Sequence, residues 1–300
     1  MERPAPEYQL DFEVTTYFSM KDNFEAEIWD GSRIVFCRSE ETNKGFIIYK
    51  MDKLNHGIAK EEGTKRVDAF LNYLMITANI DNIRPTIFAE SPKLLNSDKF
   101  KGTPITFTKT ITANSILVAD FQKQWAESAS SLSSKIHELS NNKQAVIDRC
   151  LLWLRKGAEA TWNERFIYRW VSFEALTGVL DKQCGSTPTL VKSLINKLRN
   201  ESAKTIFNRN KELVKQLEAA SLKGWQKQNR SGELKEAIEA LGKNGDYKAV
   251  IVKTALCIYE VRNRFLHWGE EEISLINGCN TLLRELIHAL LKALLQNTQN

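Results

Sequence analysis

Tyr259–Glu272 reads YEVRNRFLHWGEEE and closes a run, from 246 to 268, in which apolar residues recur at helical spacing. Ile251, Ala255, Ile258, Tyr259, Arg262, Phe265 and Leu266 fall on one broad stripe at i, i+3, i+4 intervals, which predicts a helix with a buried face. Arg262 stands at the edge of that face, where a guanidinium must find an anion, an acceptor or water. Glu260, Asn263, Arg264 and His267 share a second face, with His267 one turn after Asn263. Gly269 offers a C-terminal cap, so His267 belongs to the last turn with its ring partly exposed. The chain has only 4 histidines, and this one follows two arginines and an asparagine within six residues. Its plainest role is a favourable contact with the C-terminal end of the helix dipole.

Helical spacing extends outward from this stretch. It predicts helices at 143–157, 161–180, 188–200, 203–222, 231–241 and 272–296, broken by CGSTP, KGWQKQNRSG and GKNGD. Residues 114–142 read as a connecting helix whose serine-rich middle, SASSLSS, competes with the helical backbone. Before residue 113 the pattern alternates. YQLDFEVTTYF, FEAEIW, RIVFC and GFIIYKM are short runs separated by KDN, DGS and ETNKG, as a β-meander requires. A helix follows at 66–78, then strands in IRPTIFAE and TPITFTKTIT around a polar loop, SPKLLNSDKFKG. The expected fold class is α+β. A β-rich α+β domain of unknown role occupies 1–113, the connecting helix 114–142, and an all-α bundle 143–300.

Composition narrows the function classes. The start, MERPAPEYQ, lacks the basic and apolar regions of a signal peptide, and no apolar run can span a bilayer, so a cytoplasmic protein with no membrane partner is expected. The 5 cysteines, Cys37, Cys150, Cys184, Cys257 and Cys279, are widely spaced without a C-x-x-C, which suits reduced, buried thiols. No histidine pair has metal-ligand spacing, and neither a metal nor another cofactor is expected. From Lys182 to Lys248 there are 14 Lys and Arg against 7 Asp and Glu, more than the whole chain's net charge of +5. A basic region on a near-neutral body suits a polyanion, and it equally suits a set of solvated helix faces.

The element R-N-x(3)-H, Arg262 to His267, resembles the R-x(4–6)-H signature of HEPN domains, in which a polar residue commonly follows the arginine. RFIYRWVSFEALTGVL, about ninety residues upstream, resembles the first core helix of the Apea-like branch, with its buried F-E-A-L. The resemblance covers the C-terminal half only, from about residue 145. It implies a HEPN-like helical domain, a homodimer, and a metal-independent RNA endonuclease of the kind found among toxins and antiviral or phage-defence effectors. A trigger ligand or an antitoxin acting at the N-terminal domain fits that plan. The alternative is a non-catalytic dimeric module that binds nucleotide or protein.

The chemistry implied is coherent. RNA carries its own nucleophile in the 2′-OH. A histidine can take or give the proton in such a cleavage, and an arginine can hold two phosphate oxygens. The resemblance therefore puts Arg262, Asn263 and His267 in the catalytic site, with Glu174, Arg264 and Glu260 in support. Glu174 is expected to pair with Arg262 or Arg264, or to be an ordinary surface glutamate, and Arg264 to contact phosphate or pair with Glu260. On a straight helix, residues five apart diverge by about 140°. Arg262 and His267 then meet only if the last turn unwinds or a second copy supplies one of them. Lys211, Lys215, Lys223, Lys227 and Arg230 can follow an RNA backbone, with Trp225 stacking on a base or simply packing in its loop.

Overall fold

The computed structural model describes residues 5–14, 17–19, 23–37, 43–52, 55–78, 85–95, 117–120, 123–180, 185–223, 228–269 and 272–296. The chain divides into two compact units, Met1–Glu138 and Leu139–Asn300. The first is built on an antiparallel sheet and the second is helical, so the chain has the α+β layout expected of it.

In the first unit, strand β1 (Glu7–Val14) is central. Tyr8, Leu10, Phe12 and Val14 point inward and the acidic and amide residues between them point out, a period of two. β2 is Tyr17–Ser19, β3 Phe24–Glu27, β4 Arg33–Cys37 and β5 Asn43–Lys50. The sheet runs β3-β4-β5-β1-β6, where β6 is Pro85–Phe88, and β7 (Lys93–Leu94) also pairs with β1. The expected polar loop thus opens with a short strand, Tyr8 lying opposite Leu94. TPITFTKTIT lies outside the described residues.

Across the β1–β5 pair, Phe12 faces Gly45. A Cβ on Gly45 would lie 2.5 Å from the Val35 carbonyl oxygen and 2.7 Å from the Phe12 ring. Gly45→Ala is therefore expected to lower stability by about 1–3 kcal/mol. Urea unfolding of the variant measures this, and a midpoint equal to wild type would show that the strands part without cost.

Helix α1 runs His56–Ala78, ten residues longer than its apolar stripe predicts. Asn55 Oδ1 caps its start, accepting from the Gly57 and Ile58 amides at 3.0 and 3.1 Å. The first turns bury small residues, Ala59 and Gly63, beneath Tyr49, whose hydroxyl donates to the Ala59 carbonyl. Such residues leave no hydrophobic signal.

The segment expected as a connector also reads differently. It holds β8 (Leu117–Asp120), which pairs in parallel with β2, and α2 (Lys123–His137). Helix α2 belongs to the first unit, burying Ala126, Ala129, Leu132 and Ile136. The Thr77 hydroxyl on α1 donates to the Trp125 carbonyl at 2.8 Å. Serines that weaken a solvated helix are tied down here, as Ser130 donates to the Glu27 carbonyl at 2.6 Å.

The second unit contains α3 (Asn141–Glu159), α4 (Trp162–Ala175), a 3₁₀ turn at Leu176–Val179, α5 (Thr187–Ile195), α6 (Asn200–Arg209), α7 (Lys211–Ala219), α8 (Arg230–Asn244), α9 (Tyr247–Trp268) and α10 (Ile273–Gln296). Helix α4 opens with a capping box, Thr161 with Glu164, and buries Phe166, Trp170 and Phe173 completely. Trp170 packs on Tyr259 of α9 and Phe166 on Phe265, with ring centroids 5.6 and 6.3 Å apart. The single helix expected at 203–222 is two. Asn210 joins them with φ −115° and ψ 22°, and its amide donates to the Ile206 carbonyl and to Glu285 of α10, both at 2.9 Å.

Candidate active site

Helix α9 carries the candidate site, and its burial is wider than a single stripe. Val250, Ile251, Val252, Thr254, Ala255, Leu256, Cys257, Ile258 and Val261 are all buried, as suits a helix surrounded by α4, α5, α6 and α8. Asp246 caps the start by accepting from the Ala249 amide at 3.1 Å. At the other end Gly269, at φ 66°, donates its amide to the Phe265 carbonyl. Beyond Val261 the helix emerges: Arg262, Asn263, Arg264 and Phe265 are half-buried, and Leu266 and His267 are exposed. Leu266 thus departs from the buried stripe on which the periodicity put it.

Arg262 donates from Nη1 to the Asn263 side-chain oxygen at 3.0 Å. Its Nε is buried without a hydrogen-bond partner, and no carboxylate pairs with it among the described residues. Among the described residues the charge is held by a neutral amide alone. Asn263 therefore acts as an orienter of the guanidinium, a geometry that an arginine-asparagine dipeptide makes available locally. His267 is exposed in the last turn, as expected from Gly269. Helix α9 remains α-helical through Trp268, so the last turn does not unwind. Arg262 and His267 then point about 140° apart, and a single chain does not bring them together. Trp268's side chain lies outside the described residues.

The supporting residues make separate contacts. Glu260 is buried, and its Oε1 lies 3.6 Å from Nε of Arg230. Arg264 instead donates from Nη2 to the Ser221 carbonyl at 3.3 Å, which sets the turn after α7 beside the end of α9. Arg230 is not on an RNA-facing surface. It is buried, bridging Glu233 at 3.3 Å as well as Glu260, and Lys253 pairs with Glu233 at 2.9 Å. The reason is that α8 packs on α9 at its first turn, and two carboxylates offset the cost of desolvating the guanidinium. Glu174 is half-buried on α4 and pairs with neither Arg262 nor Arg264. Lys211, Lys215 and Lys223 are exposed, the first two on α7 opposite its buried Leu213, Val214 and Leu217. Trp225 and Lys227 lie outside the described residues.

The described cysteines are poor nucleophiles. Cys150, Cys257 and Cys279 are buried, and burial pushes their thiols up, the first two to about 12. Cys37 is half-buried and also raised, and Cys184 lies outside the described residues. Among the described residues no group of three or more His, Cys, Asp and Glu side chains is arranged to hold a metal ion. No helix among them is long and apolar enough to cross a membrane.

His288 was not singled out by any motif. It is buried on α10, and neither ring nitrogen has a hydrogen-bond partner among the described residues. Burial, then the charges of Lys292, Arg284 and Arg169, holds its pKa down to about 3. The unfolded chain binds a proton there near the ordinary value of 6.5. The contribution to stability is thus whole above about pH 6.5 and is lost as pH falls from there towards 3. Between pH 7 and pH 5 this one group is expected to cost about 2 kcal/mol. Urea unfolding of wild type and His288→Leu across that range measures it, the variant giving the flatter profile. Parallel profiles would mean that the ring is hydrated in the folded protein.

Comparison with models of known protein families finds no match, and comparisons with curated proteins and with solved structures find none either.

Proposed function

We propose that the chain is a metal-independent RNA endonuclease of the HEPN type, working as a homodimer. The observation that carries this reading is the state of Arg262, a half-buried cation held by the Asn263 amide with no carboxylate partner among the described residues, five residues before an exposed histidine. In the proposed reaction, His267 takes the proton from the 2′-OH or gives one to the leaving 5′-oxygen. The Arg262 fork holds the phosphate oxygens as charge builds on them. Because the two diverge on a continuous helix, the cleft is completed by a second copy. Leu266 and Ile273, 45% and 58% exposed near the end of α9 and at the start of α10, supply apolar surface for that copy to cover. An effector role in a toxin or phage-defence system, with the β-rich unit receiving a trigger or an antitoxin, belongs to the same proposal, as does a cytoplasmic site of action.

The test is incubation of the purified protein with a mixed RNA pool in EDTA. Fragments ending in 2′,3′-cyclic phosphate are expected. Intact RNA, from a protein shown to be dimeric, favours the second reading, a dimeric module that binds nucleotide or protein without turnover. The separation of Arg262 from His267 within one protomer is the observation on that side.

A further inference from the structure

A second place in the helical unit has the makings of a ligand site. Between α5 and the start of α9 lies an open groove of about 830 Å³, within the usual range for small-molecule sites. Its floor is apolar, formed by Pro188, Val252 and Leu256. Thr189 and Asn196 add a hydroxyl and an amide along the α5 wall. Three lysines and one carboxylate, Asp246, reach it. Lys253 is already paired with Glu233 at 2.9 Å, and Asp246 is engaged with the α9 backbone as its cap. That leaves Lys192 and Lys248, whose side chains make no ion pair or hydrogen bond among the described residues.

We propose that this groove binds a small organic phosphate monoester, its phosphate between Lys192 and Lys248 and its carbon body on the Pro188–Val252–Leu256 floor. Three lysines against the one carboxylate of Asp246 favour an anionic head group, and a phosphate monoester carries about −1.5 to −2 at neutral pH. A carboxylate carries one. The apolar floor distinguishes the ligand from inorganic phosphate, since only a carbon body gains from covering it. The groove is separate from the candidate nuclease site. Lys253 and His267 are fourteen positions apart on α9, which corresponds to about 21 Å along the axis. The buried Arg230–Glu260 pair lies between them along α9. The inference therefore stands without the nuclease reading.

The phosphate ester could come from a free metabolite or from an RNA backbone, and the free ligand is the one proposed. Titration calorimetry on the full chain separates them, with phenyl phosphate, inorganic phosphate and a 2′-O-methyl RNA oligonucleotide lacking terminal phosphates as probes. Phenyl phosphate is expected to bind at least about tenfold more tightly than inorganic phosphate, one factor of ten being about 1.4 kcal/mol. The Lys192→Glu/Lys248→Glu double variant, changed only at side chains that pair with nothing described, is expected to lose that binding. His267→Ala is expected to keep it. Failure of phenyl phosphate to bind, or binding that survives the double variant, overturns the proposal. Binding of the oligonucleotide alone, lost in the double variant, would assign the lysines to an RNA track and overturn the small ligand.

Discussion

Replacing His267 by alanine is expected to lower RNA cleavage by at least about a hundredfold, with folding unchanged. Proton transfer by a positioned side chain contributes typically 10²–10⁴-fold. The ring is exposed and makes no hydrogen bond among the described residues, so nothing in the helix depends on it. A melting temperature close to wild type should accompany the loss. Arg262→Ala is expected to lose a similar factor through the phosphate charge it no longer meets. Arg262→Lys keeps the charge but not the fork, and should fall between. The pattern matters more than any single value. If His267→Ala cleaves like wild type while the protein remains dimeric, the histidine is a helix-end residue and the nuclease mechanism is withdrawn. Equal losses in cleavage and in stability for Arg262→Ala alone would assign the arginine to packing.

How much of this was legible beforehand depends on what each residue signals. The β1 alternation Tyr8, Leu10, Phe12, Val14 and the caps of α4 and α9 are local patterns, and their elements follow from them. The start of α1 was hidden because Ala59 and Gly63 are small, their burial being decided by Tyr49 on another strand. The break at Asn210 was hidden for a similar reason, since Glu285, 75 residues away, stabilises it. The same distinction runs through the candidate site. Arg262 with Asn263 and the exposure of His267 depend on neighbours in sequence. Arg230 looked like one more cation of a basic segment, and only the packing of α8 on α9 shows it buried beside Glu260. The charge count over 182–248 could not separate Arg230 from Lys223, which remains exposed. The groove lysines Lys192 and Lys248 lie 56 positions apart, and no motif joins them.

Mixing two inactive proteins is expected to restore cleavage. If the cleft takes Arg262 from one protomer and His267 from its partner, an Arg262→Ala subunit still supplies histidine and a His267→Ala subunit still supplies arginine. In the mixed dimer both defects fall in one cleft, and the other is complete. Unfolding and refolding equal amounts together should give about half mixed dimers, each with one working cleft of two, hence about a quarter of wild-type activity. Against parents reduced a hundredfold, that recovery is a rise of about twenty-five-fold, well above mixing error. A site confined to one protomer predicts no recovery, because neither subunit then holds both groups. The continuous helix argues against confinement, as bringing residues 262 and 267 together within one chain would require unwinding a turn that Gly269 caps and Phe265 closes. Recovery without a change in subunit number would place the second-copy contact at the emerging end of α9, where Leu266 and Ile273 are exposed. Charged substitutions at those two positions should then abolish recovery and wild-type cleavage together, since the cleft cannot form without the contact.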